Sequence, residues 1–251
     1  MRIHVDFRSH ALGMDTSFYA LLPQDGLSAG KRRTLFLLHG RSDDHGAWVR
    51  RTSIERYAEE KGLAVVMPDG GLSYYADMVH GPDYFTYLTE ELPPFVRSLL
   101  PLSREREDTW IAGLSMGGYG AMKAALRRPD LFSRAGSFSG ALDLAGWIGL
   151  CRGNGNRQAL RVFANAFGDP DTIPGTCHDL FRLLRELKAS GKPLPRIYQC
   201  CGTGDFLHGG NARFRDFCGQ EDVPLTYEEW PGAHDWAFWD EAVRRFLSWL
   251  P

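Results

Sequence analysis

The 251-residue chain carries 29 Lys and Arg against 31 Asp and Glu, a formal charge of −2, with 43% hydrophobic and 24% charged residues. That composition supports a sizeable core and excludes a disordered chain, and without a basic excess nucleic acid is not an expected partner. Apolar runs such as 35–38 and 63–67 are far too short to cross a bilayer, and residues 1–10 hold no apolar signal core, so no membrane partner and a cytoplasmic location are expected.

Residues 2–8 and 16–22 alternate apolar and polar side chains (Ile3, Val5, Phe7), the period of half-buried strands. From Thr34 the pattern changes to short, near-continuously apolar runs: Thr34–Leu38, 63–67, Thr109–Leu114, Arg134–Phe138, 196–201 and Leu225–Trp230. Such runs suit parallel strands buried on both faces. Helical periodicity fills the gaps, over 53–61, 84–100, 117–127, 178–188, 212–218 and 236–250, with Pro93 and Pro94 expected to kink or restart the second. Strand and helix therefore alternate, which predicts an α/β fold: a mostly parallel, doubly wound sheet with antiparallel strands at its N-terminal end. Residues 141–177, rich in Gly and Asn and weakly periodic, are too long for an ordinary connection and are expected to form a small, partly helical cap insertion. No repeat or linker divides the chain, so residues 1–251 are read as a single domain.

Gly113-Leu114-Ser115-Met116-Gly117 matches G-x-S-x-G, between a strand pattern and a helix pattern. In that context the serine sits on a sharp strand-to-helix turn, and glycines two before and two after let the chains pass. The α/β-hydrolase order then requires an acid and, last, a histidine. Of eight histidines His234 fits, in the loop between the last strand and the last helix. Asp205, directly after the run 196–201, is the candidate to orient it, favoured over Asp169, Asp222 and Asp235. The oxyanion of an acyl-transfer intermediate needs two backbone N–H groups. Met116 and Arg41 are expected to supply them, with Gly40 allowing close approach. His39 is read as architectural, since no second ligand lies at metal spacing. Tyr75 and Trp236 are the candidate substrate contacts, Tyr75 from a cluster that includes Tyr74, Asp77 and Tyr84. The adjacent Cys200 and Cys201 read as inert core thiols.

Five blocks carry a family resemblance: Leu37-Leu38-His39-Gly40, Val66-Met67-Pro68-Asp69-Gly70, Gly81-Pro82-Asp83-Tyr84, the segment 112–120 and the segment 137–142. Together they resemble the putative-esterase (esterase D-like) family of α/β-hydrolases, above all the bacterial tributyrin and acetyl esterases. The resemblance implies serine hydrolysis of short-chain acyl esters through Ser115, His234 and Asp205. It also implies a small-molecule ester as substrate, no metal or organic cofactor, and a homo-oligomer. Esterases of acetylated or feruloylated carbohydrates and thioesterases of the S-formylglutathione type are the alternatives on the same residues. A non-catalytic binding protein on this fold is the alternative of a different class.

Overall fold

The alternating N-terminal segments form an antiparallel hairpin, β1 (Arg2–Ser9) and β2 (Met14–Leu21), with Val5 opposite Phe18 and Phe7 opposite Thr16. The computed structural model describes residues 1–24 and 31–251. β2 runs antiparallel to β4 (Ala64–Pro68), and from there the sheet is parallel. β3 (Thr34–Leu38), β5 (Thr109–Leu114), β6 (Arg134–Phe138), β7 (Arg196–Gly202) and β8 (Leu225–Trp230) complete the order β1-β2-β4-β3-β5-β6-β7-β8. This is the mostly parallel, doubly wound sheet, with antiparallel strands at its N-terminal end, expected of the alternating pattern. β3, β4 and β5 are buried throughout, as continuous apolar runs require. β8 departs from that expectation. It is the edge strand, and its side chains are only half-buried, so Thr226, Glu228 and Glu229 are tolerated there.

Helices cover both faces. One layer is α1 (Ala47–Arg51), α2 (Ile54–Lys61) and α10 (Trp236–Trp249), which bury Trp48, Ile54, Phe246 and Leu247 with Leu37, Val65 and Trp110 of the sheet. The other holds α4 (Leu92–Leu99), α5 (Met116–Arg127), α8 (Leu180–Ala189) and α9 (His208–Gln220). α1 was not legible in the sequence, being little more than one turn. α4 is approached through α3 (Tyr84–Thr86) and a single wide turn, Tyr87–Glu91. The disturbance expected at Pro93 and Pro94 is thus met by a π turn just before them, with the prolines in the first turn of α4 where a missing N–H costs little. Among the described residues no helix is long and apolar enough to cross a membrane.

Residues 141–177 contain α6 (Leu144–Gly153), α7 (Arg157–Phe167) and a short 3₁₀ turn, Pro170–Thr172. The weak periodicity expected here is corrected by α7. Ala159, Val162, Phe163, Ala166 and Phe167 are all buried at helical spacing, and the Asn156 side chain accepts from the Ala159 N–H at its start.

The strand order reverses between β3 and β5: the chain builds outward through β4 on one side and through β6 to β8 on the other. A doubly wound sheet opens a crevice at such a switch point, at the carboxyl ends of its strands. The loop after β3 and the turn after β5 both empty into it.

Candidate active site

Ser115 follows β5 directly and precedes the first residue of α5, with φ 51° and ψ −115°. This is a conformation that a residue with a Cβ avoids, and it persists only where the surroundings enforce it. The enforcement is visible on both sides. A Cβ on Gly113 would stand 2.5 Å from the Gly117 carbonyl carbon, and one on Gly117 2.6 Å from the carbonyl oxygens of Leu38 and His39. The Ser115 N–H donates to the Phe138 carbonyl at 2.9 Å, and its own carbonyl accepts from Tyr119 and Ala141, each at 3.1 Å. The turn is pinned between β3, β6 and α5.

The Ser115 hydroxyl donates to Nε2 of His234 at 3.0 Å, and His234 Nδ1–H donates to Asp205 Oδ2 at 2.8 Å. The other carboxylate oxygen, Oδ1, accepts the Leu207 N–H at 2.8 Å. Burial alone would raise the Asp205 carboxyl. The bond from His234, its charge and the Leu207 N–H outweigh that and hold it below the usual carboxylate range. Asp205 therefore stays ionised and fixes the imidazole with its Nε2 lone pair toward the serine. The competing carboxylates serve elsewhere: Asp235 caps α10 by accepting from Phe238 N–H at 3.0 Å, and Asp169 caps the 3₁₀ turn.

Among the described residues the Arg41 and Met116 N–H groups donate to no protein acceptor. Met116 opens α5, so its amide shares the helix N-terminal dipole. The loop carrying Arg41 is held from several directions. His39 is buried, its Nδ1–H donating to the Gly40 carbonyl and its Nε2 accepting the Gly70 N–H, both at 2.8 Å. Burial keeps that imidazole neutral by pushing it below its ordinary value. Trp48 Nε1–H donates to the Leu38 carbonyl at 3.1 Å. His39 is thus a strut, as the sequence suggested.

Ser115, His234, Gly40, Arg41 and Trp236 line one cavity of about 360 Å³, together with Asp43, Tyr74, Trp147, Phe206 and Trp239. Met116, the residue after Ser115, is not among the lining residues. Tyr75 does not line it, which corrects the expectation of a substrate contact. Its ring lies wholly buried against Gly70 and Gly120, and its hydroxyl donates to the His39 carbonyl at 3.1 Å. Tyr74 and Tyr75 both have positive φ, 51° and 48°, and this twist sends Tyr74 to the cavity and its neighbour into the core. Trp147 comes from α6, so the 141–177 segment does wall the site; Phe206, just after Asp205, packs 5.0 Å from it and 4.4 Å from His234. Nothing local in the sequence marked Trp147 or Asp43; Phe206 was legible only as the neighbour of the acid. His80 and His208 lie outside the cavity, and His208 pairs with Glu229 at 3.0 Å. A larger surface depression of about 680 Å³, bounded by Met1, Arg2, Gln24 and Glu59, holds none of these groups. Among the described residues no cluster of three or more His, Cys, Asp or Glu is placed to hold a metal ion.

The family model described as "Putative esterase" matches residues 9–250. The chain belongs to that family. This esterase is 31% identical to the acetyl esterase of Caldicellulosiruptor saccharolyticus, over 99% of this chain and 97% of that one. Among solved structures it is similar to the fluorophosphonate-binding serine hydrolase F of Staphylococcus aureus, at 35% identity and a TM-score of 0.90, covering 100% of this chain and 98% of that one. The S-formylglutathione hydrolase of the same organism is also 35% identical, with a TM-score of 0.88 over 100% and 98% of the two chains. The esterase is accordingly a serine hydrolase of carboxylic esters.

Proposed function

We propose that this esterase hydrolyses short-chain acyl esters, acetyl to butyryl, through an acyl-enzyme on Ser115. The observation that carries the reading is the unbroken hydrogen-bond line from Ser115 Oγ through both nitrogens of His234 to Asp205. His234 Nε2 takes the hydroxyl proton as Oγ attacks the ester carbonyl, and the tetrahedral oxyanion accepts from the Arg41 and Met116 N–H groups. The intermediate collapses as the imidazolium passes its proton to the leaving alcohol oxygen, leaving the acyl group on Ser115. Water then repeats the sequence: it loses a proton to His234, attacks the acyl carbon, and Ser115 recovers that proton as the acid departs. Asp205 stabilises the imidazolium in both halves.

Short acyl groups are supported by the modest cavity, narrowed by Trp147, Phe206, Trp236 and Trp239, and by the likeness to an acetyl esterase. The likeness to an S-formylglutathione hydrolase at 35% identity supports a second reading, thioester hydrolysis on the same residues. Five unpaired cysteines support a reducing, cytoplasmic setting. Turnover of p-nitrophenyl esters from C2 to C12, beside the Ser115→Ala variant, tests the proposal. A peak at C2–C4 that the variant loses is the expected result, and a peak at C8 or longer overturns the chain-length assignment. Turnover of S-formylglutathione well above that of any oxygen ester selects the second reading.

A further inference from the structure

We propose that the Arg41 side chain is the anion-binding element of the substrate cavity, so that the preferred ester carries a carboxylate a few bonds from the scissile carbonyl. This rests on the hydrolytic reading above and names its substrate class.

Arg41 lines the same cavity as Ser115. Its Nη1 is closed off from solvent and has no hydrogen-bond partner among the described residues. A guanidinium carries five N–H donors and stays charged at any working pH, so an unmet donor in a closed site is costly until an acceptor arrives. The surroundings do not provide one. The charge of Arg41 acts on the Tyr74 phenol and on the Cys151 thiol of α6, both neutral groups at neutral pH, on the side where the 141–177 segment closes the cavity. The remaining walls are largely aromatic.

Asp43 is the carboxylate that shares the cavity, and its Oδ2 lies beside Gly40. Its neighbours are the Gly40 backbone, the His39 ring, Asp44 and Arg51, and it makes no ion pair with Arg41 within 4.0 Å. Burial raises the Asp43 carboxyl above its ordinary value. The cavity is thus divided, with the guanidinium toward α6 and the carboxyl toward Gly40. A planar guanidinium fork matches a carboxylate in two parallel hydrogen bonds. Because the same residue offers its backbone N–H to the oxyanion, the side chain also limits how far that carboxylate lies from the reacting carbon.

Two isosteric pairs test this by pH-stat: ethyl hydrogen succinate against ethyl succinamate for an acyl-side charge, and acetoxyacetate against acetoxyacetamide for an alcohol-side charge. In at least one pair the carboxylate should exceed the amide in kcat/KM by roughly tenfold or more, mainly through KM. Arg41→Met should bring that ratio to about one and Arg41→Lys should keep part of it. A ratio near one in the wild type for both pairs, or a preference that survives Arg41→Met, overturns the proposal. A second measurement is independent of turnover. Quenching of the cavity tryptophans in Ser115→Ala by the same four esters should show tighter binding of a carboxylate, lost in the Ser115→Ala, Arg41→Met double variant. Binding discrimination without turnover of any ester would sink the hydrolytic reading and keep Arg41. Turnover without discrimination would do the reverse, and neither binding nor turnover would overturn both.

Discussion

The Tyr75 hydroxyl donates to the His39 carbonyl at 3.1 Å, tying the turn after β4 to the loop after β3. That bond joins two segments 36 residues apart, and the His39 carbonyl it holds lies two residues before the Arg41 amide. A buried tyrosine otherwise far from the chemistry is therefore linked to the geometry of the oxyanion loop. Tyr75→Phe should cost about 1 kcal/mol of stability. It should also lower kcat severalfold while KM for short esters holds. Denaturant unfolding and ester kinetics on the same preparation check both, and an unchanged kcat would confine Tyr75 to packing.

His39 makes the same loop sensitive to acid. Burial lowers its pKa below 6.5, so as the pH falls past 6.5 the unfolded chain takes up a proton that the fold refuses. Stability is complete above that value and declines as the pH drops through the window below it. Depression of the Asp205 carboxyl adds a second loss further down, beginning near its ordinary value of 3.8. Thermal unfolding between pH 7 and 4 should show the first decline, and His39→Gln should reduce it, leaving the share that the depressed His178 contributes in the same window.

Lys123 is wholly buried on α5, with Nζ 3.1 Å from His178 Nδ1 and the rings of Phe85, Tyr119 and Phe167 around it. Burial pushes the lysine down to about 7, and burial with the lysine's charge pushes His178 down to about 3. Between about pH 7 and 10.5 the unfolded chain holds a proton that the fold has shed, so stability should rise with pH across that interval. Lys123→Met should abolish the rise and increase Tm at pH 7, since an apolar side chain carries no burial penalty of this kind. A rise that persists in the variant would place its origin elsewhere.

Asp205→Asn leaves the shape of the site but removes the acceptor that selects the His234 tautomer. It should lower kcat about 10⁴-fold, and Ser115→Ala by at least 10³-fold, with circular dichroism unchanged. Activity within tenfold of wild type in either variant would remove that residue from the mechanism.

Gly113→Ala and Gly117→Ala each drive a methyl group into backbone rather than into a movable side chain. Each should cost about 3 kcal/mol, the upper part of the range for overpacking. Chemical denaturation measures it directly, and a loss under 1 kcal/mol would mean that the turn yields more easily than its contacts suggest.

Much of this molecule was local and therefore readable from the chain. The central strands were continuous apolar runs because both sheet faces are covered, and Thr34–Leu38, Thr109–Leu114 and Arg134–Phe138 begin and end where the pattern does. Ser115 announced itself because the strained turn needs glycine at two fixed offsets, and Asp205 and His234 followed from their places after strands. The assignments that failed depended on contacts no short window contains. Leu225–Trp230 is half-exposed because it ends the sheet, a fact of strand order. Tyr74 and Tyr75 are chemically alike neighbours, and the positive φ at both positions decides which one meets the cavity. Trp147 reaches the site only through the packing of α6, and Arg41 was marked for its amide while the lack of a partner for its buried Nη1 waited on its surroundings. Periodicity and turn chemistry act over a few residues and determined the elements and which residues are the triad candidates. The walls of the cavity and its charges come from segments far apart in sequence, so only the tertiary structure decided them.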